Sequence, residues 1–442
     1  MAAEPRSDLA ALRADIERLL AEPGSPDSEL VRRLQLALLD LSRAEAGTPE
    51  YRVVLAAPMK AGKSTLLNAL LCQDLLPARG SAMTMLPTRV VVVPLGRQRR
   101  PVLRLAPHTA AALQELQSRL LHPENEAAVR QTTRGQQELA HVMGASCQRL
   151  AVAPVVGPYR GYRSVRRRLA MLNDTVRLAA LVLPAGVLHA AVRDMQAPEV
   201  VVPVPWMAQD VHRYGHLVLI DTPGPDETLL SGVLDGLVIR EFKDAHELLV
   251  VADATRVGST AEASVRRLVQ NARRERGPCG VLVAANRADL VRGPVPLRAV
   301  QRRVDPFEGP ADRAVATNAR LGLSAAGVLW PALSGSPGRE HERAAGFLEL
   351  VFPLDWEEVA PSVRPAQLRR WCTEAWHRSG VAELLDRFVT PLAVRPGFSA
   401  LARTLAEVAS VCRDLARNSG SDKRVAQLAR QCDGIQRTME VH

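Results

Sequence analysis

One loop of this sequence combines the residue types that bind phosphate groups. It follows the apolar run 52–56 and precedes a helix-like segment that begins at Thr65, the strand–loop–helix order that a phosphate-binding loop requires. In such a loop, backbone N–H groups bind the phosphates, a lysine neutralises the β and γ oxygens, and a serine hydroxyl binds Mg²⁺. Lys63 and Ser64 suit those two roles. The predicted nucleotide contacts in this loop are Ala57, Met59, Lys60, Ala61, Gly62, Lys63, Ser64 and Thr65.

The loop departs at one position from the pattern G-x-x-x-x-G-K-[ST]. Ala57 stands where the first glycine is expected. Alanine is tolerated there in an extended or right-handed conformation but not at positive φ. We therefore expect a negative φ at Ala57.

A second apolar run, residues 216–220, ends in Asp-Thr-Pro-Gly. Asp221 can reach Mg²⁺ through a water molecule, and the Gly224 N–H can contact a γ-phosphate. The alternative interpretation is an ordinary strand followed by a Pro-Gly turn. The predicted metal-binding residues include Ser64 and Asp221.

A third apolar run, residues 281–285, ends in Asn286-Arg287-Ala288-Asp289. A carboxylate at Asp289 can accept both N1–H and the 2-amino protons of guanine, which adenine does not offer, so GTP rather than ATP is the expected nucleotide. Arg287 stands where a lysine stem usually packs on the base. Ser324 and Ala325, after another short apolar run, are predicted to give a backbone contact to the base.

The elements around these motifs predict an α/β fold. Short β-rich runs alternate with helical ones, which favours a mixed, mostly parallel sheet covered by helices. Together with the order and spacing of the three motifs, this sheet predicts a P-loop GTPase domain. The expected strands are residues 52–56, 90–94, 217–220, 248–251 and 280–284. Apolar stripes at helical spacing near both ends predict a terminal helical bundle. The predicted domains are N-terminal helices at 1–49, a GTPase domain at 50–395 with a helical insertion at about 96–214, and C-terminal helices at 396–442.

Composition limits the classes of protein that this chain can belong to. Of its 442 residues, 47% are apolar and 24% are charged, which excludes a wholly disordered chain. The net charge of +10 suits a negatively charged partner. Six scattered cysteines and a polar start predict a cytoplasmic protein with reduced thiols. The apolar stretch 178–192 is interrupted by Pro184, so any membrane or nucleoid association is expected to be peripheral.

Together, the motifs resemble the bacterial dynamin-like GTPases. The similarity looks closest to the branch whose members include a protein that binds the replication sliding clamp and colocalises replication forks. It covers about residues 50–400, including 172–178 in the insertion. Members carry a long helical stalk after the GTPase domain, whereas residues 396–442 follow it here, so the resemblance implies a truncated chain. The matching segments are residues 59–70, 76–77, 83–88 and 221–225.

The resemblance also implies residue roles. Thr84 becomes the switch threonine, whose hydroxyl would bind Mg²⁺ and whose backbone would position the attacking water. Thr88 is the alternative, and an ordinary strand residue is the plainer interpretation. Pro225, not a glutamine, follows Gly224, so no side chain there orients water. Such GTPases dimerise across their nucleotide faces, often with K⁺ or Na⁺ beside the phosphates.

Lys60 gives a sharper hypothesis about that cation. Lysine occurs only at Lys60, Lys63, Lys243 and Lys423 among 57 basic residues, so its retention suggests a need for a compact ammonium. Lys60 occupies the position where relatives place a small polar cation ligand. The catalytic residues predicted are therefore Lys60, Lys63 and Thr84, with Lys60 replacing the cation. The alternative is a solvated loop lysine.

The sequence thus predicts a GTP hydrolase (EC 3.6.5.-) that binds Mg²⁺ and GTP, works as a homodimer or with a paired dynamin-like chain, and moves its terminal helices at a membrane or nucleoid assembly. The alternatives are an RNA- or ribosome-associated regulatory GTPase and a GTP-binding scaffold without turnover. An RNA-associated protein should carry a recognisable RNA-binding module, and none is apparent.

Two further segments carry partner hypotheses. Residues 158–168 concentrate five arginines and two tyrosines, which suits an anionic membrane or nucleic acid, although a solvated helix face is the commoner explanation. Residues 35–39, Gln-Leu-Ala-Leu-Leu, resemble a sliding-clamp-binding peptide. Clamp ligands bind extended, whereas these residues fall within a helical stripe, so a core role is favoured.

Overall fold

In the computed structural model, the described residues are 3–21, 28–45, 49–77, 85–135, 158–208, 215–224, 235–256, 263, 265–267, 269–271, 280–304, 313–334, 340–394, 396–419 and 423–441. They contain a nine-stranded sheet. The strands are β1 (Glu50–Ala56), β2 (Thr88–Pro94), β3 (Val102–Arg104), β4 (Tyr159–Arg160), β5 (Glu199–Val204), β6 (His216–Asp221), β7 (Glu247–Asp253), β8 (Gly280–Asn286) and β9 (Ala314–Thr317). The five expected strands are β1, β2, β6, β7 and β8.

The strand order brings the predicted motifs to one edge of the sheet. The order is β4-β3-β5-β2-β6-β1-β7-β8-β9, with β6, β1, β7, β8 and β9 parallel and β2 antiparallel to β6. In the register, Leu55 lies beside Asp221, and Asn286 lies between Asp253 and Thr317. Since ligands of such sheets bind outside the carboxyl ends of the strands, this edge is the expected site. The predicted mixed, mostly parallel fold is confirmed.

Each face of the sheet has its own apolar core. In β1, Val53 and Leu55 belong to one core, while Val54 and Ala56 belong to the other. Successive strand residues point to opposite faces, so a strand covered on both sides is apolar without alternation. This burial fixes the strand ends and the first residues of the loops that follow them.

Helices cover both faces of the sheet and form the two ends of the chain. Leu66 and Leu67 of α3 lie in the first core, and Phe242 of α8 lies in the second. The described helices are α1 (Ala3–Ala21), α2 (Ser28–Glu45), α3 (Lys63–Leu70), α4 (Pro107–Leu120), α5 (Glu126–Gly135), α6 (Tyr162–Val182), α7 (Ala185–Val192), α8 (Asp235–Lys243), α9 (Leu297–Val304), α10 (Ala319–Leu329), α11 (Glu340–Val351), α12 (Trp356–Val359), α13 (Pro365–Arg378), α14 (Val381–Leu384), α15 (Thr390–Val394), α16 (Pro396–Ser419) and α17 (Lys423–Val441).

The insertion at 96–214 contains strands as well as helices. It contains helices α4 to α7, as expected, but it also supplies β3, β4 and β5 to the same sheet. Strand β5 pairs in parallel with β2, and β3 pairs antiparallel with β5. The insertion is therefore held to the sheet by backbone hydrogen bonds as well as by packing.

The terminal helices α1, α2, α16 and α17 share a third apolar core. Leu9, Leu41 and Leu405 are fully buried in it. Arg33 of α2 donates a hydrogen bond to the Glu407 carboxylate of α16 over 2.5 Å. The expected terminal helical bundle is confirmed.

A buried charge network joins this bundle to the sheet at the amino-terminal ends of β1 and β7. Glu247 accepts a hydrogen bond from the Tyr51 hydroxyl over 2.9 Å and forms an ion pair with Arg313. Arg403 of α16 donates to the same hydroxyl over 3.2 Å. Burial and the Glu247 charge raise the pKa of Tyr51, so its hydroxyl keeps the proton that it donates. Nearby, the His246 imidazole lies 3.6 Å from the Asp40 carboxylate of α2.

Candidate nucleotide-binding site

The predicted phosphate loop connects β1 to α3. Gly62 precedes α3 with a φ of +91°, and a Cβ at this position would lie 2.3 Å from Asn286 Nδ2. Glycine is therefore required both by the backbone conformation and by the close approach of Asn286. Ala57 is buried and is not among the residues with positive φ, as its identity demands.

Lys63, Ser64 and Asp221 come together at the start of α3. Lys63 Nζ forms a buried ion pair with Asp221 Oδ1, and Ser64 Oγ donates to Asp221 Oδ2 over 3.1 Å. Lys63 is 9% exposed and Asp221 is 2% exposed, so each charge needs the other as its partner in this environment. The structure thus places the predicted phosphate-binding lysine and two of the predicted metal ligands at one location.

Asn286 links the phosphate loop to the last strands of the sheet. Its Nδ2 donates to the Ala61 carbonyl over 2.8 Å, and its Oδ1 accepts the Ala319 N–H over 3.0 Å. Thr317 Oγ1 also approaches Oδ1, at 3.4 Å. The side chain is 3% exposed and uses both ends of its amide. The two sequence motifs, far apart in the chain, are therefore parts of one site.

Arg287 holds the phosphate loop through its guanidinium group. It donates to the Lys60 carbonyl over 2.5 Å and to Asp253 Oδ2 over 2.8 Å. Lys60 has a φ of +63°, a region that non-glycine residues rarely occupy, and the bond from Arg287 stabilises that conformation. Sequence reasoning missed Asp253, although its place at the end of an apolar strand was the available signal.

Asp289 and Gly224 lie at the rim of the same edge. Asp289 belongs to the short 3₁₀ turn Ala288–Leu290 that follows Arg287, and it is exposed. Gly224 follows β6 and is half-buried. Thr222, which directly follows β6, donates to the Leu55 carbonyl over 2.7 Å and so ties the end of β6 to β1.

The structure places Ser324 and Ala325, the predicted backbone contacts to the base, inside a helix rather than in a loop after a strand. Both lie inside α10, where backbone N–H groups bond within the helix, and Ala325 is fully buried. The carboxyl end of β9 is Thr317, and Asn318 caps α10 by accepting the Leu321 N–H over 3.0 Å. Asparagine before an apolar helical run is a recognised cap signal, and it would have moved the prediction to residues 317–319.

Of the two candidate switch threonines, the structure describes only Thr88. Thr84 lies outside the described residues, as does Pro225. Thr88 begins β2, is 3% exposed and pairs in register with Asp221. Its hydroxyl donates to the Leu86 carbonyl over 3.4 Å. Thr88 is therefore a buried strand residue beside the site.

The basic segment 158–168 is divided between buried and exposed arginines. Arg168 is buried against the Tyr159 ring, with 4.8 Å between the guanidinium carbon and the ring centroid, and Arg166 pairs with Asp74 at 2.9 Å. These two arginines have structural roles. The exposed arginines of the segment are Arg160, Arg163 and Arg167.

Residues 35–39 lie within α2, where Ala37 is buried and Leu38 packs against the bundle core. Leu39 is 53% exposed. An extended complex with a clamp would require this part of α2 to unwind, so the structure agrees with the core interpretation.

Four of the six cysteines lie in the described part of the chain, and all four are buried. Cys72, Cys372, Cys412 and Cys432 are buried and free, and burial raises the pKa of each, to about 11 for Cys412. Such thiols are poor nucleophiles.

Within the part of the chain that the structure describes, no helix is both long enough and apolar enough to span a bilayer.

The fold and site define a P-loop nucleotide-binding protein: a parallel sheet whose first strand leads into a Gly-Lys-Ser loop, beside an Asp at the end of the neighbouring strand. The family comparison agrees, since the model of the dynamin family matches residues 53–283. The chain belongs to the dynamin family.

Two kinds of relative were found. The clamp-binding protein CrfC of Escherichia coli K-12 is 30% identical over 237 residues, which is 53% of this chain and 31% of CrfC, and a CrfC sequence assigned to Escherichia coli gives the same values. The match therefore spans about a third of the length of these relatives. The sequence-based recognition of a dynamin-like protein is confirmed.

Among solved structures, two chains from an oligomerised bacterial dynamin pair, described as sensing and tethering membranes, align with the whole of this chain and 66% of their own length. Their sequence identities are 12% and 14%, and the TM-scores are 0.36 and 0.35. Similarity at this level supports no inference about function.

Proposed function

We propose that this protein is a GTPase that binds GTP with Mg²⁺ and hydrolyses it to GDP and phosphate. The observation that carries the proposal is the Asn286 amide, which bonds at once to the phosphate loop at Ala61 and to the Ala319 N–H beyond β9. This contact holds the predicted guanine-binding segment against the predicted phosphate-binding loop. Membership of the dynamin family supports GTP chemistry in general.

The residues present fit a bound magnesium ion. Ser64 Oγ and the Asp221 carboxylate are adjacent hard oxygen donors at 3.1 Å, the kind that Mg²⁺ prefers together with water and phosphate oxygens. When bound, the ion neutralises charge that develops on the β- and γ-phosphates. We propose that Lys63 then leaves Asp221 and binds the phosphate oxygens, so that one buried ion pair is exchanged for two charge-assisted contacts.

We propose that hydrolysis needs a second copy or a paired dynamin-like chain. Pro225 directly follows Gly224 in the sequence, so the chain carries no glutamine there to orient the attacking water. Thr84 is proposed to help position that water. The bundle is the proposed responsive element, because Arg403 connects α16 to Tyr51 at the start of the strand that leads into the phosphate loop.

Multiple-turnover phosphate release over a wide range of protein concentration tests this proposal. We expect the rate per chain to rise with concentration, and to rise further on anionic vesicles if the chains gather there. A constant rate per chain would contradict activation by pairing. GTP binding without any turnover would instead identify a scaffold.

We also propose that the Lys60 ammonium replaces the monovalent cation used by relatives. Lys60 is exposed in the left-handed conformation that Arg287 stabilises. The wild type should then hydrolyse GTP at similar rates in Na⁺ and K⁺, while Lys60→Ala should lose about a hundredfold in kcat, the lower end of the range typical of lost transition-state charge stabilisation. Lys423→Ala, exposed on α17, is the matched control. Strong K⁺ dependence of the wild type would contradict the idea.

The proposed location is cytoplasmic, at a peripheral membrane or nucleoid assembly. Arg160, Arg163 and Arg167 are the exposed arginines that can face an anionic membrane or nucleic acid. The relative CrfC is named as a clamp-binding protein, and residues 35–39 of this chain resemble a clamp-binding peptide. A pull-down with purified clamp tests that weaker hypothesis.

A further inference from the structure

Asp253, at the carboxyl end of β7, is a buried carboxylate that none of the sequence motifs includes. Its Oδ2 accepts a hydrogen bond from Arg287 Nη1 over 2.8 Å. Its Oδ1 accepts the Thr255 N–H over 3.0 Å and the Thr255 hydroxyl over 2.6 Å. The two oxygens of one carboxylate therefore have separate partners: one binds the local turn after β7, and the other binds a side chain of the loop after β8.

Arg287 connects this carboxylate to the phosphate loop. Its second terminal nitrogen, Nη2, donates to the Lys60 carbonyl over 2.5 Å. A guanidinium group holds its N–H donors in a rigid planar fork, so fixing one nitrogen on Asp253 also fixes the direction of the other. A lysine ammonium is a single point charge with rotatable donors and would not transmit direction in this way. The arginine that stands in place of the expected lysine is thus matched to the carboxylate at the end of β7.

The peptide unit between Lys60 and Ala61 is held on both sides. The Lys60 carbonyl accepts from the guanidinium group, and the Ala61 N–H donates to the Pro58 carbonyl over 3.2 Å. The next carbonyl, that of Ala61, accepts from Asn286. Because the C=O and N–H of a trans peptide unit point in opposite directions, the Gly62 N–H points away from Asn286. A phosphate loop binds its ligand through N–H groups, so its carbonyls must be bound elsewhere, as they are here.

The conformation of Lys60 depends on such support. Its φ of +63° is one that a residue with a Cβ keeps only where the surroundings stabilise it. Without the bond to its carbonyl, Lys60 would adopt a right-handed or extended conformation in a larger share of the molecules. A nucleotide would then bind only the remaining fraction, and its apparent affinity would fall in proportion to that fraction.

We propose that Asp253 is a positioning residue for the nucleotide site, which acts through Arg287 to keep the phosphate loop in its binding conformation before a nucleotide arrives. This inference rests on the proposed function, because it requires a guanine nucleotide in the loop. The carboxylate acts by orienting the guanidinium group. GDP and GTP both carry the β-phosphate that such a loop binds, so both should depend on Asp253 to the same extent.

A double-mutant cycle in the full chain tests the proposal, with Kd for GDP measured by titration calorimetry in the presence of Mg²⁺. Asp253→Ser keeps an oxygen that can accept the Thr255 N–H, but its side chain is shorter and does not reach Arg287. Arg287→Met keeps the stem and removes the donors. We expect either change alone to weaken GDP binding about tenfold, as a competent fraction of about one tenth implies. In the Arg287→Met protein, the further change Asp253→Ser should alter Kd by less than about twofold, since its effect passes through Arg287.

Thr255→Val is the matched control, because it removes the hydroxyl that bonds to the other carboxylate oxygen and leaves the Arg287 contact in place. Thr255 is exposed, and valine has the same shape, so Kd for GDP should stay within about twofold of the wild-type value. Should Asp253→Ser fail to fold, Asp253→Thr, which has the same reach and a higher strand propensity, is judged by the same criteria.

The outcomes separate this inference from the function on which it rests. An unchanged Kd in Asp253→Ser, or a full further loss when Asp253→Ser is added to Arg287→Met, would overturn the positioning role and leave GTP hydrolysis by the wild type untouched. A loss confined to a non-hydrolysable GTP analogue would also overturn it, because GDP shares the β-phosphate. A wild-type chain that binds neither GDP nor GTP would overturn the proposed function itself, and the positioning role with it.

Discussion

Lys63→Met is expected to abolish measurable GTP hydrolysis and to weaken GTP binding by at least about a hundredfold, as the loss of two charge-assisted contacts of roughly 1.5–3 kcal/mol each implies. Methionine keeps most of the stem volume, so the change removes the ammonium group with little cavity formation. The Lys63 side chain is 9% exposed, and its ammonium lies against Asp221 beside the phosphate loop. Isothermal titration with GTP and a phosphate-release assay measure the two effects.

The same substitution leaves Asp221 as a buried carboxylate without its cation. We therefore expect a loss of about 3 kcal/mol in the free energy of unfolding of the nucleotide-free protein, a typical cost of removing one partner of a buried pair. Urea denaturation separates this loss from the loss of binding. Lys423→Ala, which changes an exposed lysine of α17, should alter neither quantity. GTP hydrolysis at wild-type rates by a folded Lys63→Met protein would contradict the assignment of the phosphate loop.

The phosphate loop and its strand–helix context could be predicted from the sequence because the information is local. Lys63, Ser64 and Gly62 lie within three residues of one another, and the apolar strand before them is covered on both faces. Asp221 and Asn286 were predictable for the same reason, since each ends an apolar run that becomes a strand. Because the carboxyl ends of parallel strands lie at the same edge of a sheet, such residues come together there.

The rest of the sheet was harder to predict because its strands are short or mixed with helical patterns. Strand β3 has three residues and β4 has two, and both are stabilised by pairing with neighbours that lie far away in sequence. Strand β9 was missed for the same reason. Strand β5, by contrast, is a valine-rich run whose residue types favour a strand, although helical patterns surround it in the sequence.

Contacts between distant residues account for what could not be predicted within the site. Arg287 donates to the Lys60 carbonyl, and both residues adopt the left-handed conformation in loops that follow different strands. Asp253 joins them because β7 and β8 pair with Asp253 beside Asn286. Likewise, Asn173 of α6 accepts the Met85 N–H over 2.6 Å, although the two residues are 88 positions apart in the chain. These contacts depend on register and backbone conformation, which residue types alone do not specify.

Asp289→Asn is expected to exchange guanine for xanthine as the preferred base. A carboxylate accepts both N1–H and the 2-amino group of guanine, whereas an asparagine amide offers one acceptor and one donor. GTP affinity should fall by about a hundredfold, since a site built to hydrogen-bond a group discriminates strongly once that match is lost. Xanthosine triphosphate carries a carbonyl in place of the 2-amino group, so the wild-type carboxylate repels it and the asparagine amide can donate to it.

The structure makes this change well suited to a binding measurement. Asp289 is exposed in the turn Ala288–Leu290, so its substitution disturbs no core. A substitution of Asn286, in contrast, would disturb the phosphate loop, because the Asn286 side chain bonds to that loop. Asp194→Asn, an exposed aspartate in the insertion, provides a control of identical chemistry. Competition titrations with guanosine, inosine and xanthosine triphosphates should show xanthosine triphosphate gaining affinity only in Asp289→Asn. Equal weakening for all three would mean that Asp289 does not contact the base at its 2-position.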